Sequence, residues 1–218
     1  ILKYSLSFML IGLVVFCLLF ISSLVLGRLW CGYLCPAGGL QEACNVALGW
    51  PLRTKKADCL KYLVFLGIFG SIVLAFLSAG GPETVDLFYR TENGVSILAA
   101  GGIALFLGPV LITLLFTLIF GRRGFCHTFC PIAVMLMIGR KIRNLGRWPA
   151  LHLEVENDWC TRCTSCTKEC PMSLEVDAMV RKGEMENADC ILCGICVDTC
   201  TQGAITYAWS DKNQGQSP

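Results

Sequence analysis

The sequence predicts an α-helical membrane domain with three visible transmembrane helices, followed by a small cysteine-rich α+β domain. Three observations lead there. The 218 residues are 55% hydrophobic and only 16% charged, well away from the balance of an ordinary soluble domain. The apolar residues gather into three long runs. The fifteen cysteines gather into four tight groups with three left over. A secreted disulfide scaffold is usually short and lacks spanning segments, so metal or redox chemistry accounts better for so many thiols.

The three runs are 6–26, 60–79 and 95–120, each close to the roughly 20 apolar residues that cross a bilayer. Gly108-Pro109 interrupts the last, where neighbouring helices would satisfy the freed carbonyls. Arg28, Arg53, Lys55, Lys56 and Lys61 lie between the first two runs; Arg122, Arg123, Arg140, Lys141, Arg143 and Arg147 follow the third. Lys3 and Arg90 stand alone on the other side. By the positive-inside rule this predicts a multi-pass membrane protein with its C-terminal region in the cytoplasm. Residue 1 then lies outside, and a fourth helix upstream is expected. Residues 80–93 read as an external loop with Tyr89 at headgroup depth. Composition turns basic and then polar after Gly139, so the expected domains are a transmembrane domain 1–139, a basic linker 140–157, a cysteine-rich domain 158–208 and a polar tail 209–218.

Two stretches repeat a pattern, "RLWCGYLCPAGG" at 28–39 and "RGFCHTFCPIAV" at 123–134. Arg28 aligns with Arg123, Trp30 with Phe125, Cys31 with Cys126, Cys35 with Cys130 and Pro36 with Pro131. Cysteines four apart share one face if the helix continues through them, about one 5.4 Å turn apart. Proline then ends or redirects the chain. Cys31, Cys35, Cys126 and Cys130 thus offer four thiolates at one depth, a complete ligand set for a shared iron–sulfur site. Reversible disulfides, a thiolate copper site and reduced cysteines that merely pack are the alternatives.

Residues 160–171, "CTRCTSCTKECP", and 190–200, "CILCGICVDTC", both have C-x2-C-x2-C-x3-C spacing. That is the bacterial two-cluster ferredoxin pattern, in which each run gives three thiolates to one [4Fe–4S] cluster and its fourth to the other. The resemblance to this ferredoxin-like module implies that Cys160, Cys163, Cys166 and Cys200 hold the first cluster. It implies that Cys190, Cys193, Cys196 and Cys170 hold the second. The second run departs from the pattern at Thr201, where proline is common. A zinc ribbon is the alternative, but one zinc ion needs only four ligands and each run overshoots a C-x2-C pair. Balanced charge argues against a nucleic-acid role.

Paired C-x-x-x-C-P motifs followed by such a module resemble a family of membrane polyferredoxins. It includes the NapH-like quinol dehydrogenase component, the NosR-like regulators and the cytochrome oxidase accessory polyferredoxins. The resemblance covers nearly the whole chain and implies a multi-pass protein of a bacterial or archaeal inner membrane that transfers electrons between the quinone pool and a redox partner protein or larger complex. A thiol or iron–sulfur metal reductase, or a maturation factor handling copper or iron for another enzyme, is the competing reading. The helices expected after each motif, 37–50 and 132–139, would lie in the membrane interface and wall a quinone site near Gln41 and Glu42. His127 reads as a solvated interfacial histidine. Arg140, Lys141, Arg143 and Arg147 read as headgroup contacts. Cys17, Cys44 and Cys59 read as structural.

Overall fold

The computed structural model describes residues 2–48, 59–78 and 102–210. The helical part runs through α1 (Leu2–Leu26), α2 (Leu29–Tyr33), α3 (Pro36–Leu48), α4 (Leu60–Ser78), α5 (Gly102–Phe120), α6 (Gly124–Thr128) and α7 (Pro131–Gly146). The motif repeat becomes a structural repeat: long helix, one-turn helix, proline-started helix. Gly27 and Gly121, at φ 59° and 85°, end the two long helices in the left-handed conformation that glycine adopts without a Cβ penalty. Pro36 and Pro131 open α3 and α7, where a missing N–H costs nothing. The prolines therefore start the next helices as well as ending the motifs.

Helix α7 lies against α1 and α4. It buries Ala133, Val134, Met135, Leu136, Gly139, Arg140 and Arg143, a stripe at helical spacing. Its first half is core, not an interfacial layer. Residues 140–146 continue the helix to a left-handed cap at Arg147. Strand β1 (Ala150–Val155) then pairs antiparallel with β2 (Ile205–Ser210), from Ala150 opposite Ser210 to Val155 opposite Ile205. Between them lie a 3-10 turn, Asn157–Trp159, and helices α8 (Ser165–Glu169), α9 (Val176–Arg181) and α10 (Ile195–Asp198). Leu136 of α7 shares one core with Leu153, Met172, Val176, Val180, Ile191, Leu192 and Ile205, so the cysteine-rich lobe packs directly on the helical part.

Among the described residues, no helix is long and apolar enough to cross a membrane. This corrects the expected α-helical membrane domain with three transmembrane helices, and the multi-pass inner-membrane placement drawn from it. The helices do carry exposed apolar side chains, among them Leu18, Leu63, Leu66, Leu111 and Leu115. The expected external loop 80–93, most of the polar tail, and Arg53, Lys55, Lys56 and Arg90 lie outside the described residues.

Buried ion pairs fix the lobe to the helices. Arg140 grips Glu186 with two bonds, Nε to Oε1 at 2.7 Å and Nη2 to Oε2 at 3.0 Å, and donates from Nη1 to the Cys190 carbonyl at 2.9 Å. Lys61 Nζ and Arg28 Nη1 reach Asp189 Oδ1 at 3.1 and 3.3 Å. Arg143 donates to the Leu151 carbonyl. Arg140 and Arg143 are buried in these contacts, which corrects their reading as headgroup contacts. Burial alone would raise both carboxyls; instead Arg140 holds Glu186, and Lys61 with Arg28 holds Asp189, below the usual carboxylate range. A depressed carboxyl contributes stability that is complete above its unfolded pKa, about 4, and lost as pH falls through the folded value. Arg140→Ala leaves the half-buried Glu186 to Arg143 and Asn144 and is expected to cost up to about 3 kcal/mol, read from urea midpoints at neutral pH. The loss relative to the parent chain should shrink as the pH is taken below 4.

Candidate iron–sulfur sites

The two cysteine runs fold alike. In the first, Arg162 and Thr164 flank Cys163 with φ 60° and 62°; in the second, Leu192 and Gly194 flank Cys193 with φ 54° and 79°. Three residues after each fourth cysteine, Ser173 and Gly203 are again left-handed, at φ 52° and 65°. Each donates its N–H to that cysteine's carbonyl, Ser173 to Cys170 and Gly203 to Cys200, both at 3.0 Å. A non-glycine residue in this region costs on the order of 1–3 kcal/mol. Repeating it at matched positions means that the wrap is built in, and it brings the backbone N–H of Ser165 to the Cys163 sulfur and that of Ile195 to the Cys193 sulfur.

Two cavities result. One is lined by Cys170, Cys190, Cys193 and Cys196 among apolar side chains including Met172, Ile191 and Val176. The other is lined by Cys160, Cys163, Cys166 and Cys200 with Thr161, Arg162 and Thr164. Each takes three cysteines from one run and the fourth from the other. Burial, then the neighbouring Cys190, Cys193 and Cys170, pushes the Cys196 thiol up to about 12. Cys163 is exposed, and hydrogen bonds from Ser165 and Thr161 lower its pKa. The first cavity is therefore the inner one, against the helices, and the second the outer one.

The motif cysteines converge as well. All six pairs among Cys31, Cys35, Cys126 and Cys130 lie within electrostatic reach of one another. Cys31, Cys126 and Cys130 are buried. Burial followed by Cys126 raises the Cys130 thiol to about 12; burial also raises Cys126 and Cys31, offset by Arg123 and Gln41 at the first and Arg28 at the second. Gln41 Nε2 donates to Cys126 Sγ at 3.3 Å while its Oε1 accepts from the Phe125 N–H at 3.1 Å. Arg123 Nη1 crosses to the Cys31 carbonyl at 2.9 Å and its Nε reaches Glu42 at 3.4 Å. Arg28 Nε is buried with no hydrogen-bond partner among the described residues. Three thiols that burial resists ionising, with Cys35 beside them, two guanidinium groups and an orphaned donor suit a group of polarised sulfur bound to cationic iron.

Among the described residues, no three His, Cys, Asp or Glu side chains converge closely enough to hold one metal ion. A zinc site needs all its donors on one ion, whereas a cubane spreads four thiolates over four irons. All fifteen cysteines are free thiols. Cys17 and Cys59 are exposed and Cys44 is partly buried. His127 is buried, its Nε2 3.3 Å from the Met172 carbonyl, which corrects its reading as a solvated histidine. Gln41 and Glu42, expected at a quinone site, serve the motif cysteines and Arg123. Nothing in the sequence marked Asp189 or Glu186, since lone acids carry no spacing signal.

These sites and this lobe define a protein that carries [4Fe–4S] clusters. The 4Fe-4S binding domain family matches residues 8–55 and again 98–148, one copy over each C-x-x-x-C-P motif, and the 4Fe-4S dicluster domain family matches 159–205. The chain's relatives include NapH and NosR, polyferredoxin-like iron–sulfur proteins of electron transfer. It is 25% identical to the ferredoxin-type protein NapH of Escherichia coli over 84% of this chain and 63% of that one. With the regulatory protein NosR of Pseudomonas aeruginosa it shares 29% identity over 88% of this chain but only 25% of that one. An uncharacterised protein of Methanocaldococcus jannaschii is 27% identical over 98% of this chain and 84% of its own length. No solved structure matches.

In the metal-free reduced chain, thiol reactivity should follow exposure and thiolate character. Iodoacetamide footprinting read by mass spectrometry is expected to label Cys163 first and Cys126 and Cys130 last. Equal labelling of all three would contradict the burial of the motif cysteines.

Proposed function

We propose that this chain is an electron-transfer subunit with two [4Fe–4S] clusters and a third iron–sulfur site, relaying electrons between a quinone and a redox partner protein. The observation that carries the reading is the sharing of cysteines between the two runs: each cavity is lined by four, three from one run and one from the other. Cys170, Cys190, Cys193 and Cys196 hold one cluster. Cys160, Cys163, Cys166 and Cys200 hold the other. Cys31, Cys35, Cys126 and Cys130 hold the third, with Gln41, Arg28 and Arg123 moderating its negative charge. When bound, such clusters supply one-electron chemistry at potentials tuned by charge, hydrogen bonds and burial.

The protein's own contribution is placement. Apolar walls exclude water from the inner cavity, while exposed Cys163 puts the outer one within reach of a partner protein. Support for the quinone end comes from the family resemblance and from the exposed apolar side chains of α4 and α5, elements that pack on α6 and α3 beside the motif cysteines. Menadiol should reduce the clusters of the anaerobically purified protein; no reduction by any quinol would remove that end of the proposal.

Two measurements test the ligand sets. Cys200→Ser is expected to perturb the EPR signal of the cluster built on Cys160, Cys163 and Cys166 and to spare the other. A change confined to the cluster of Cys190 would reverse the assignment. Iron per chain is expected at about ten to twelve, dropping to about eight in Cys31→Ser or Cys126→Ser. A parent value near eight, with both lobe clusters full, would turn the motif cysteines toward thiol or copper chemistry.

A further inference from the structure

The two motif turns press on the two loops that line the inner cavity, and each does so through the same motif position. Gly32 and His127 each follow the first cysteine of their copy. A Cβ on Gly32 would stand 3.0 Å from the Ile191 carbonyl oxygen and 3.4 Å from both Cα and Cβ of Cys193. Its φ is not left-handed, so close approach, not backbone conformation, is what calls for glycine there. In the other copy His127 Nε2 meets the carbonyl of Met172, two residues beyond Cys170. Around Gly32, Tyr33 Oη donates to the Cys193 carbonyl at 3.0 Å and shares a 3.3 Å contact with Tyr207 Oη, which itself donates to the Leu192 carbonyl at 2.8 Å. Cys31 and Cys193 are thus separated by one glycine packed without a gap, in a contact clasped by two phenols.

From this we infer that Gly32 is a positioning residue: by having no side chain it sets the closest approach between the motif-cysteine site and the inner four-cysteine site, and so couples the two electronically. His127 holds the matching contact in the second copy, where a side chain spans the wider gap. The inference rests on the proposed ligand sets, because it concerns the spacing of groups those cysteines hold. It adds an order: the motif site adjoins the inner cavity, and the exposed outer cavity stands at the far end. Any side chain at position 32 must move either Ile191 and Cys193 or the Cys31 turn, and both are packed in the common core.

The test uses the full chain with its clusters, purified anaerobically and reduced with dithionite. Iron per chain and the g-values of each cluster are recorded beside the spin–spin broadening and spin-relaxation enhancement between clusters. In the parent protein the motif-site signal should be broadened by the inner cluster. Gly32→Leu is expected to weaken that broadening clearly and Gly32→Ala to weaken it less, with iron content and individual g-values unchanged. Gly39→Ala, where a Cβ meets nothing within 4 Å, should leave it as in the parent. Should Gly32→Leu lose iron, Gly32→Ala decides: full iron with undiminished broadening overturns the positioning role. Broadening of the motif-site signal by the outer cluster alone would overturn it as well. Iron near eight in the parent, about two cubanes, would instead remove the third site itself, a distinct failure read before any Gly32 variant is compared.

Discussion

Buried guanidinium groups that reach backbone carbonyls of the cysteine loops are the interaction on which the rest of this structure depends. Arg28 donates to the Ala188 carbonyl and Arg140 to that of Cys190, while the half-buried Arg122 adds bonds to those of Lys168 and Cys170. A loop that must wrap a sulfur site cannot also satisfy its carbonyls within a helix or sheet ladder, so outside donors have to do it. Arginine suits that task because its five donors stay charged under all conditions and can serve a carboxylate and a carbonyl together. The acids Glu186 and Asp189 balance that charge. The helical part therefore acts as the second half of the loops' hydrogen bonding, and the lobe is not a free module on a tether.

Repetition at two scales follows from the same economy of parts. The helical repeat brings two C-x-x-x-C-P turns to one place, and the lobe repeat brings two cysteine runs to another. Pseudo-symmetric halves do not behave identically where they meet a partner. Arg28 turns toward the lobe, whereas its aligned counterpart Arg123 crosses to the Cys31 carbonyl of the other turn. Gly32 and His127 differ for a similar reason, the gap each must fill.

Much of the chemistry was legible in the sequence because metal ligation imposes spacing. Eight cysteines in two matched runs announced the lobe, and the residue-by-residue match of 28–36 with 123–131 announced the paired turns. The wrapping backbone was hidden: Arg162, Leu192 and Thr164 carry no sign that they sit in the left-handed region, since tertiary context overrides their local preference. The charged residues misled for a related reason. Counting Arg140 and Arg143 as topology or headgroup signals assumes that they face outward, and a buried bidentate pair with Glu186, forty-odd residues away, is invisible to any local pattern. The apolar runs predicted long helices, which formed as α1, α4 and α5, but the spanning role assigned to them did not survive among the described residues.

The sharing of cysteines between cavities has a consequence for biogenesis. Cys200 completes a site begun at Cys160, and Cys170 completes one whose other three cysteines begin at Cys190. During synthesis neither set of four can exist until the ribosome has delivered the second run almost entirely. The first three thiols of the outer site must therefore wait while 34 to 40 further residues emerge, exposed to oxidation and to stray metal. On the proposed ligand sets, cofactor loading therefore follows synthesis of both cysteine runs. The cell has to keep the early thiols reduced until then.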